Sequence, residues 1–306
     1  MMKVYNPLVS VIIPNYNHAV FLEYRIESIL SQTYKNIEVI ILDDCSTDNS
    51  LEIVNKYRND ERIVAVIQNE TNSGSPFAQW KKGLTLVKGD LVWIAESDDA
   101  CADTFLEELV TFYLKNNIVM AFTLSRKMDL NSSLGEIIQR KLTKDLIMNG
   151  HDYVSKHISM ITNASSAIFS RACAQKIDND YYKYKGAGDW LFWTGIVSQG
   201  NVGVLAKPLN FYRVHDKSTT TKMFSNGRDF RELESIYTYL YDNGFWSKWE
   251  YLKKCAQMVY GIKYIFNFDN EKIKDSLLRE WNESSLFNQC YCILIKGWYF
   301  VNKLKK

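Results

Sequence analysis

Leu91-Val92-Trp93-Ile94-Ala95-Glu96-Ser97-Asp98-Asp99 sets five apolar residues, which read as a buried strand, directly before a cluster of three carboxylates. Unpaired carboxylates at the rim of a low-dielectric core are strongly disfavoured. Such a cluster calls for a cation, commonly a divalent metal with oxygen ligands and a bound phosphate. The plainer alternative is a strand ending in a solvated turn, with Asp103 or Thr104 opening the next helix. The rest of the chain separates the two readings.

Outward from this stretch, residues 9–13 form a β-branched apolar run stopped by Pro14, and Phe21, Leu22, Ile26, Ile29 and Leu30 recur at helical spacing. The cycle repeats with a strand over 37–42, a polar loop over 43–48, a helix over 50–57 and a strand over 63–67. Pro76 suits the first turn of a helix over 76–87, and Gly89 precedes the acidic strand. Strands alternating with helices predict an α/β fold, a mostly parallel sheet covered on both faces. Ligands bind such sheets beyond the carboxyl ends of the strands. The clusters at 14–17, 43–48 and 96–99 each follow a strand, so they are expected to converge on one crevice. From about residue 120 the pattern is mixed, with strands expected near 119–124, 167–169 and 202–205 and a variable polar stretch reaching about 149. After 221 only helical patterns remain, near 230–241, 248–266, 271–281 and 286–301, which predicts a C-terminal helical region over 222–306.

With 306 residues, 46% hydrophobic and 24% charged, the chain can bury a sizeable core. A formal net charge of +2 and the lack of any arginine-rich run argue against nucleic acid as a partner. Six scattered cysteines match neither a disulfide framework nor a four-ligand zinc site. Residues 1–7 lack a signal-peptide apolar core and 9–13 are too few to span a bilayer, so a cytoplasmic location is expected.

Taken in series, Val9-Ser10-Val11-Ile12-Ile13-Pro14-Asn15-Tyr16-Asn17, Ser28-Ile29-Leu30-Ser31-Gln32-Thr33, Leu42-Asp43-Asp44-Cys45-Ser46-Thr47-Asp48 and Glu96-Ser97-Asp98-Asp99 resemble the motifs of the family 2 glycosyltransferases of GT-A fold, over about residues 7–220. The resemblance implies a transferase domain over 1–221, with a nucleotide-sugar half over about 1–120 and an acceptor half over about 121–221. It implies transfer with inversion from a nucleotide-diphosphate sugar, a UDP-sugar, to a hydroxyl of a saccharide or lipid-linked acceptor. The setting implied is bacterial surface-polysaccharide synthesis, such as capsule or O-antigen, and the implied cofactor is Mn2+ or Mg2+.

Site residues follow from the same resemblance. Pro14 and Tyr16 match a nucleobase shelf, and Asp44 matches the carboxylate that accepts the base N3–H, which favours uracil or thymine. Asp43 either joins it or holds the loop. Gly74 and Ser75 lie in Asn72-Ser73-Gly74-Ser75-Pro76, which resembles the family's flexible loop beside the nucleoside. Asp98 and Asp99 are the expected metal ligands, with Glu96 supporting at a position where the family more often has Asp. In Gly186-Ala187-Gly188-Asp189-Trp190-Leu191-Phe192-Trp193, Asp189 is the expected catalytic base, at the mouth of a helix whose dipole favours its ionised form. Gly188 stands there where many members have Glu. Arg213 and His215 fall in the terminal Arg-x-His segment, whose imidazole reaches the metal or diphosphate. Asn163 and Trp190 are expected to face the acceptor. The plainer readings are a tyrosine packed over a loop, an N-cap aspartate at 189 and a structural histidine.

Two other functions compete. A sugar-phosphate nucleotidyltransferase needs a Gly-rich phosphate loop with a basic residue after the first strand, and Pro14-Asn15-Tyr16-Asn17 is not one. A non-catalytic nucleotide-sugar-binding protein with a partly decayed site fits the departures at Glu96 and Gly188, but not the retention of Asp44, Asp98, Asp99, Asp189 and His215. At the C-terminus, residues 286–306 combine apolar and aromatic residues with four lysines and no acid. The two expectations there are an interfacial helix making peripheral contact with the inner face of the plasma membrane, or a helix packed as core.

Overall fold

β1 (Val9–Asn15) and β2 (Ile37–Asp43) are buried at every position, as parallel strands covered on both faces must be. They pair in parallel from Val9 opposite Ile37 to Asn15 opposite Asp43. β4 (Leu91–Ile94) lies parallel on the other side of β1, and β3 (Ile63–Gln68) flanks β2. The connecting helices are α1 (Ala19–Leu30), α2 (Ser50–Tyr57) and α3 (Pro76–Leu84). Three parallel strands therefore end at one edge of the sheet, and the polar clusters that follow them meet there as expected. These features come from a computed structural model that describes residues 5–139, 142–157, 161, 163–215 and 227–281.

Beyond β4 the sheet turns mixed, in the order β3-β2-β1-β4-β9-β6-β10-β5. β9 (Ala167–Ser170) runs antiparallel between β4 and β6 (Met120–Met128), and β10 (Asn201–Arg213) returns parallel to β6. The two-residue β5 (Ala100–Cys101) follows the acidic cluster and pairs with β10. Trp93 of β4 is fully buried, its indole N–H donating to the Ser165 carbonyl and its ring tilted against Phe105 of α4 (Phe105–Lys115). The remaining helices of this part are α5 (Gly150–His157), α6 (Arg171–Ala174) and α7 (Gly188–Val197), with 3-10 turns at Ala164–Ser166 and Tyr181–Lys183.

Three expectations need correction. β10 runs to Arg213 rather than ending near 205, because register shifts around Pro208 take up a residue that cannot donate to the ladder. The polar stretch before 149 contains β7 (Leu134–Ile137) and β8 (Leu146–Asn149), partly solvent-facing strands of four residues each, too short to stand out from the polar residues around them. α3 stops at Leu84, where the Thr85 and Leu86 N–H groups bond three residues back and tighten the last turn.

The chain divides into two compact units, Met1–His215 and Asp216–Lys306. The second contains α8 (Arg228–Asp242), α9 (Lys248–Tyr264) and α10 (Glu271–Glu280). A Ser247/Glu250 capping box starts α9, and Tyr237 meets both Trp246 and Trp281 edge-on. Among the described residues no helix is long and apolar enough to cross a membrane. The expected interfacial helix over 286–301 lies outside the described residues.

Candidate active site

The loops after β1 and β2 are stitched to each other. Asp43, fully buried, accepts from Asn15 Nδ2 (2.9 Å) and from the Ser46 N–H (2.9 Å), and Asn17 Oδ1 accepts from the Thr47 N–H (2.7 Å). Asn17 and Cys45 hold left-handed φ values of 56° and 63°. Asp48 then ties two helix starts together, taking the Ala19 N–H on one oxygen and the Ser50 N–H and hydroxyl on the other. Of the two roles expected for Asp43, its bonds serve the loop.

Asp44 lies beside this frame, only 4% exposed, with its carboxylate ringed by donors. Asn69 Nδ2 (2.6 Å), Gln79 Nε2 (2.7 Å) and the Ser73 N–H (2.9 Å) reach Oδ1, and the Ser73 hydroxyl reaches Oδ2 (2.7 Å). Ser73 belongs to an exposed loop whose next residue, Gly74, has φ 70°, so it is the donor most readily displaced. Tyr16 is 46% exposed and offers an open ring, whereas Pro14 is buried within β1 and shapes the backbone beneath it.

The acidic cluster divides by direction. Asp98 Oδ2 lies 3.0 Å from His215 Nε2, and ring nitrogens of His18 and His215 and a carboxylate oxygen of Asp98 fall within 4.8 Å of one another. One carboxylate and two imidazoles suit a divalent cation of borderline softness. Burial acts to raise the Asp98 carboxyl, but the His215 hydrogen bond and the neighbouring imidazoles outweigh it and hold the group below its usual range. Burial lowers the basicity of His18, favouring the neutral, ligating form.

Asp99, expected beside Asp98 on a metal, turns inward instead. It is 2% exposed and accepts from Asn163 Nδ2 (2.5 Å), Ser165 Oγ (2.7 Å) and the Arg213 N–H (2.9 Å). Burial and the adjacent Asp98 charge raise its carboxyl above the usual range. Asn163, expected at the acceptor, spends its amide on Asp99 and on Asn210 Nδ2 (2.9 Å). Arg213 is likewise committed to bracing. Its guanidinium donates to the carbonyls of Asp98 (2.8 Å) and Asp129 (2.6 Å) and covers the Phe21 ring at 4.6 Å.

Glu96 accepts from the indole N–H of Trp80 at 2.9 Å. Burial, reinforced by Asp98, pushes its carboxyl up to about 8 against that bond. The Trp80 ring in turn meets Phe192 and Trp193 of α7 at 5.3 and 5.9 Å, so the helix that carries Asp189 and Trp190 in its first turn is packed onto α3. Ser75 Oγ donates to the Tyr184 carbonyl at 2.6 Å, linking the 72–76 loop to the segment before Asp189. Gly188, where the resemblance leads one to expect Glu, has no room for a side chain. A Cβ there would stand 2.3 Å from the Tyr181 carbonyl oxygen and 2.7 Å from Phe77 Cδ2.

Sequence reasoning missed His18, Trp80, Ser165 and the donors Asn69, Ser73 and Gln79. The position of His18, immediately after the first polar cluster and before α1, was the one available signal. The others act through partners 16 to 66 residues away.

The family model described as glycosyl transferase family 2 matches residues 10–172, more than half the chain. An Escherichia coli protein, UDP-Glc:alpha-D-GlcNAc-diphosphoundecaprenol beta-1,3-glucosyltransferase WfaP, is 28% identical over 230 residues, covering 71% of this chain and 81% of its own. Staphylococcus aureus TarS residues 1–349, solved with UDP-GlcNAc, superposes with a TM-score of 0.70 at 21% identity, covering 90% of this chain and 81% of that one. The mannosyltransferase PcManGT of Pyrobaculum calidifontis, solved with GDP-Man and Mn2+, gives 0.61 at 16% identity, covering 97% and 81%. Three further curated relatives, all glycosyltransferases by name, are matched over only 45%, 64% and 47% of their length.

Proposed function

The chain belongs to glycosyl transferase family 2, and on that footing we propose that it transfers a sugar, with inversion, from a UDP-sugar to a hydroxyl of a saccharide or lipid-linked acceptor in bacterial surface-polysaccharide assembly. The observation that carries this reading is the meeting of Asp98 and His215, a carboxylate and an imidazole 117 residues apart, at the strand ends that also hold Asp44. Uracil N3–H takes the place of Ser73 on Asp44 Oδ2 while Asn69 and Gln79 keep Oδ1 fixed, and Tyr16 stacks on the base. Asp98 and His215 would hold a divalent cation, which when bound would supply positive charge against the departing diphosphate. Arg213 holds the Asp98 backbone and Asp99 holds β10, so the two groups keep their spacing. Asp189 accepts the proton of the acceptor hydroxyl as that oxygen attacks the anomeric carbon. A peripheral membrane contact through residues 286–306 belongs to the same reading, and flotation of the full chain with anionic liposomes at low and high salt tests it.

The names of the E. coli and S. aureus relatives support UDP over other nucleotides, and the Mn2+ named with the archaeal mannosyltransferase supports a metal. Calorimetric titration of UDP, GDP and CDP with and without Mn2+ is the test. UDP binding tightest and strengthened by Mn2+ is expected; tighter GDP, or indifference to chelator, refutes the donor assignment. Release of UDP from a panel of UDP-sugars distinguishes the enzyme from a non-catalytic binding protein.

A further inference from the structure

We propose that His18 is a third protein ligand to the cation, completing a two-imidazole, one-carboxylate set that prefers Mn2+ over Mg2+. This rests on the reading that Asp98 and His215 hold the donor-site metal. The first observation is proximity. His18 offers a ring nitrogen within 4.8 Å of the ligand atoms of both others, and among the described residues no other group of three potential ligands lies so close.

The second observation is that His18 is held in place. Its backbone sits between Asn17, fixed in the left-handed region and bonded to Thr47, and Ala19, whose N–H is capped by Asp48. Its ring is hydrogen-bonded through Nδ1 to Ser97 Oγ at 2.9 Å. It also stands edge-on to His215, with centroids 5.8 Å apart and planes at 88°. Phe21 touches both imidazoles, at 6.1 Å from His18 and 5.2 Å from His215, and is itself covered by Arg213. A hydroxyl on one ring nitrogen and an aromatic wall beside the ring are what orient a metal-bound histidine. A side chain serving only the fold has no need to aim nitrogen at a half-buried carboxylate and a second imidazole.

The consequence concerns metal choice. Mg2+ demands hard oxygen ligands and keeps its waters, so an Asp98–His215 pair alone gives little reason to discriminate against it. A second imidazole shifts the preference to Mn2+, which accepts nitrogen more readily.

Mn2+ binding to the nucleotide-free full chain, read from the EPR signal of free Mn2+ and from nitrogen modulation of the bound ion, tests the proposal, with Mg2+ as competitor. Wild type is expected to bind Mn2+ and to resist Mg2+, with modulation from two imidazoles. His18→Gln is expected to weaken Mn2+ binding by about tenfold or more, the scale on which even outer-shell partners matter. It should leave Mg2+ affinity nearly unchanged, keep the thermal midpoint and remove one imidazole from the modulation. Asp98→Asn should lose both metals. If His18→Gln retains wild-type Mn2+ affinity and modulation while Asp98→Asn loses binding, His18 is not a ligand and the donor-site reading stands. If Asp98→Asn also binds normally, or wild type binds no Mn2+ even with UDP present, the underlying reading falls and this proposal with it.

Discussion

Placing a glutamate at 188, where the family resemblance leads one to expect it ahead of the proposed base Asp189, should harm this protein. At Gly188 even a methyl group meets the Tyr181 carbonyl oxygen at 2.3 Å and the Phe77 ring at 2.7 and 3.0 Å. A carbon and an oxygen need a little over 3 Å, so the overlap with Tyr181 is nearly 1 Å. The oxygen cannot swing aside freely. It accepts the Tyr184 N–H that closes the turn, and Tyr184 is the residue whose carbonyl receives Ser75. Phe77 is pinned edge-on by Trp80 at 5.0 Å. Relief must come from moving the turn or the first turn of α7. Overpacking of this kind costs about 1–3 kcal/mol, against a helix-propensity gain of under about 1 kcal/mol for replacing glycine with alanine. At roughly 2–4 °C per kcal/mol for a unit of this size, Gly188→Ala should unfold several degrees below wild type. Gly188→Glu should unfold lower still and lose turnover, because the shift is passed to Asp189. Thermal unfolding followed by circular dichroism, with turnover measured on the same samples, is the assay. An unchanged midpoint in Gly188→Ala, or a gain of activity in Gly188→Glu, would refute the steric argument.

Asp189→Asn keeps shape and donor binding but removes the basic oxygen, so transfer should fall by ~100-fold or more with the UDP dissociation constant unchanged; wild-type turnover would mean that another group is the base. Asp98→Ala and Asp99→Ala should separate cleanly. The first loses Mn2+ binding with a small change in midpoint, and the second orphans three donors at about 1–3 kcal/mol each and lowers the midpoint markedly, as calorimetry and thermal melts would report. Asp48→Asn should cost roughly 1 kcal/mol by loosening two helix starts. Burial works to raise the Asp48 carboxyl, but the bonds from Ser50 and Ala19 outweigh it and depress it. Its contribution is therefore full above the ordinary carboxylate range and disappears as pH falls through the folded value, so urea melts of the pair should converge in acid.

The parallel half of the sheet was readable because β1, β2 and β4 are largely apolar runs, broken before their polar ends only by Ser10 and Glu38, and closed by polar clusters, a pattern written locally. Asp98 and His215 were readable through motifs. The inward turn of Asp99 was not, since Ser165 and Asn163, which capture it, arrive on a 3-10 turn more than sixty residues later. His18 carried only its position after the first polar cluster, a lone histidine being ambiguous until a fold brings a second one beside it. Gly188 reads in sequence as the loss of one supporting charge, and in the structure it sits where Tyr181 and Phe77 leave no room for a Cβ. β7 and β8 escaped notice because four-residue strands set among polar residues are too short to show a period.

β10 has a consequence for how the protein comes into being. Residues 213 and 215 close the site from the far end of the first unit, 114 and 117 positions after the groups they join. During synthesis at about 5–20 residues per second, the donor-side strands have left the ribosome well before this last strand can add to the sheet. The nascent chain passes through an interval in which Asp98 and Asp99 are without their partners from β10. The contacts that complete the site are among those with the longest loops to close, so they are expected to be late in folding. A shortened chain ending before Asn201 would retain β1 to β4 and their helices while lacking the strand that brings Arg213 to Asp99.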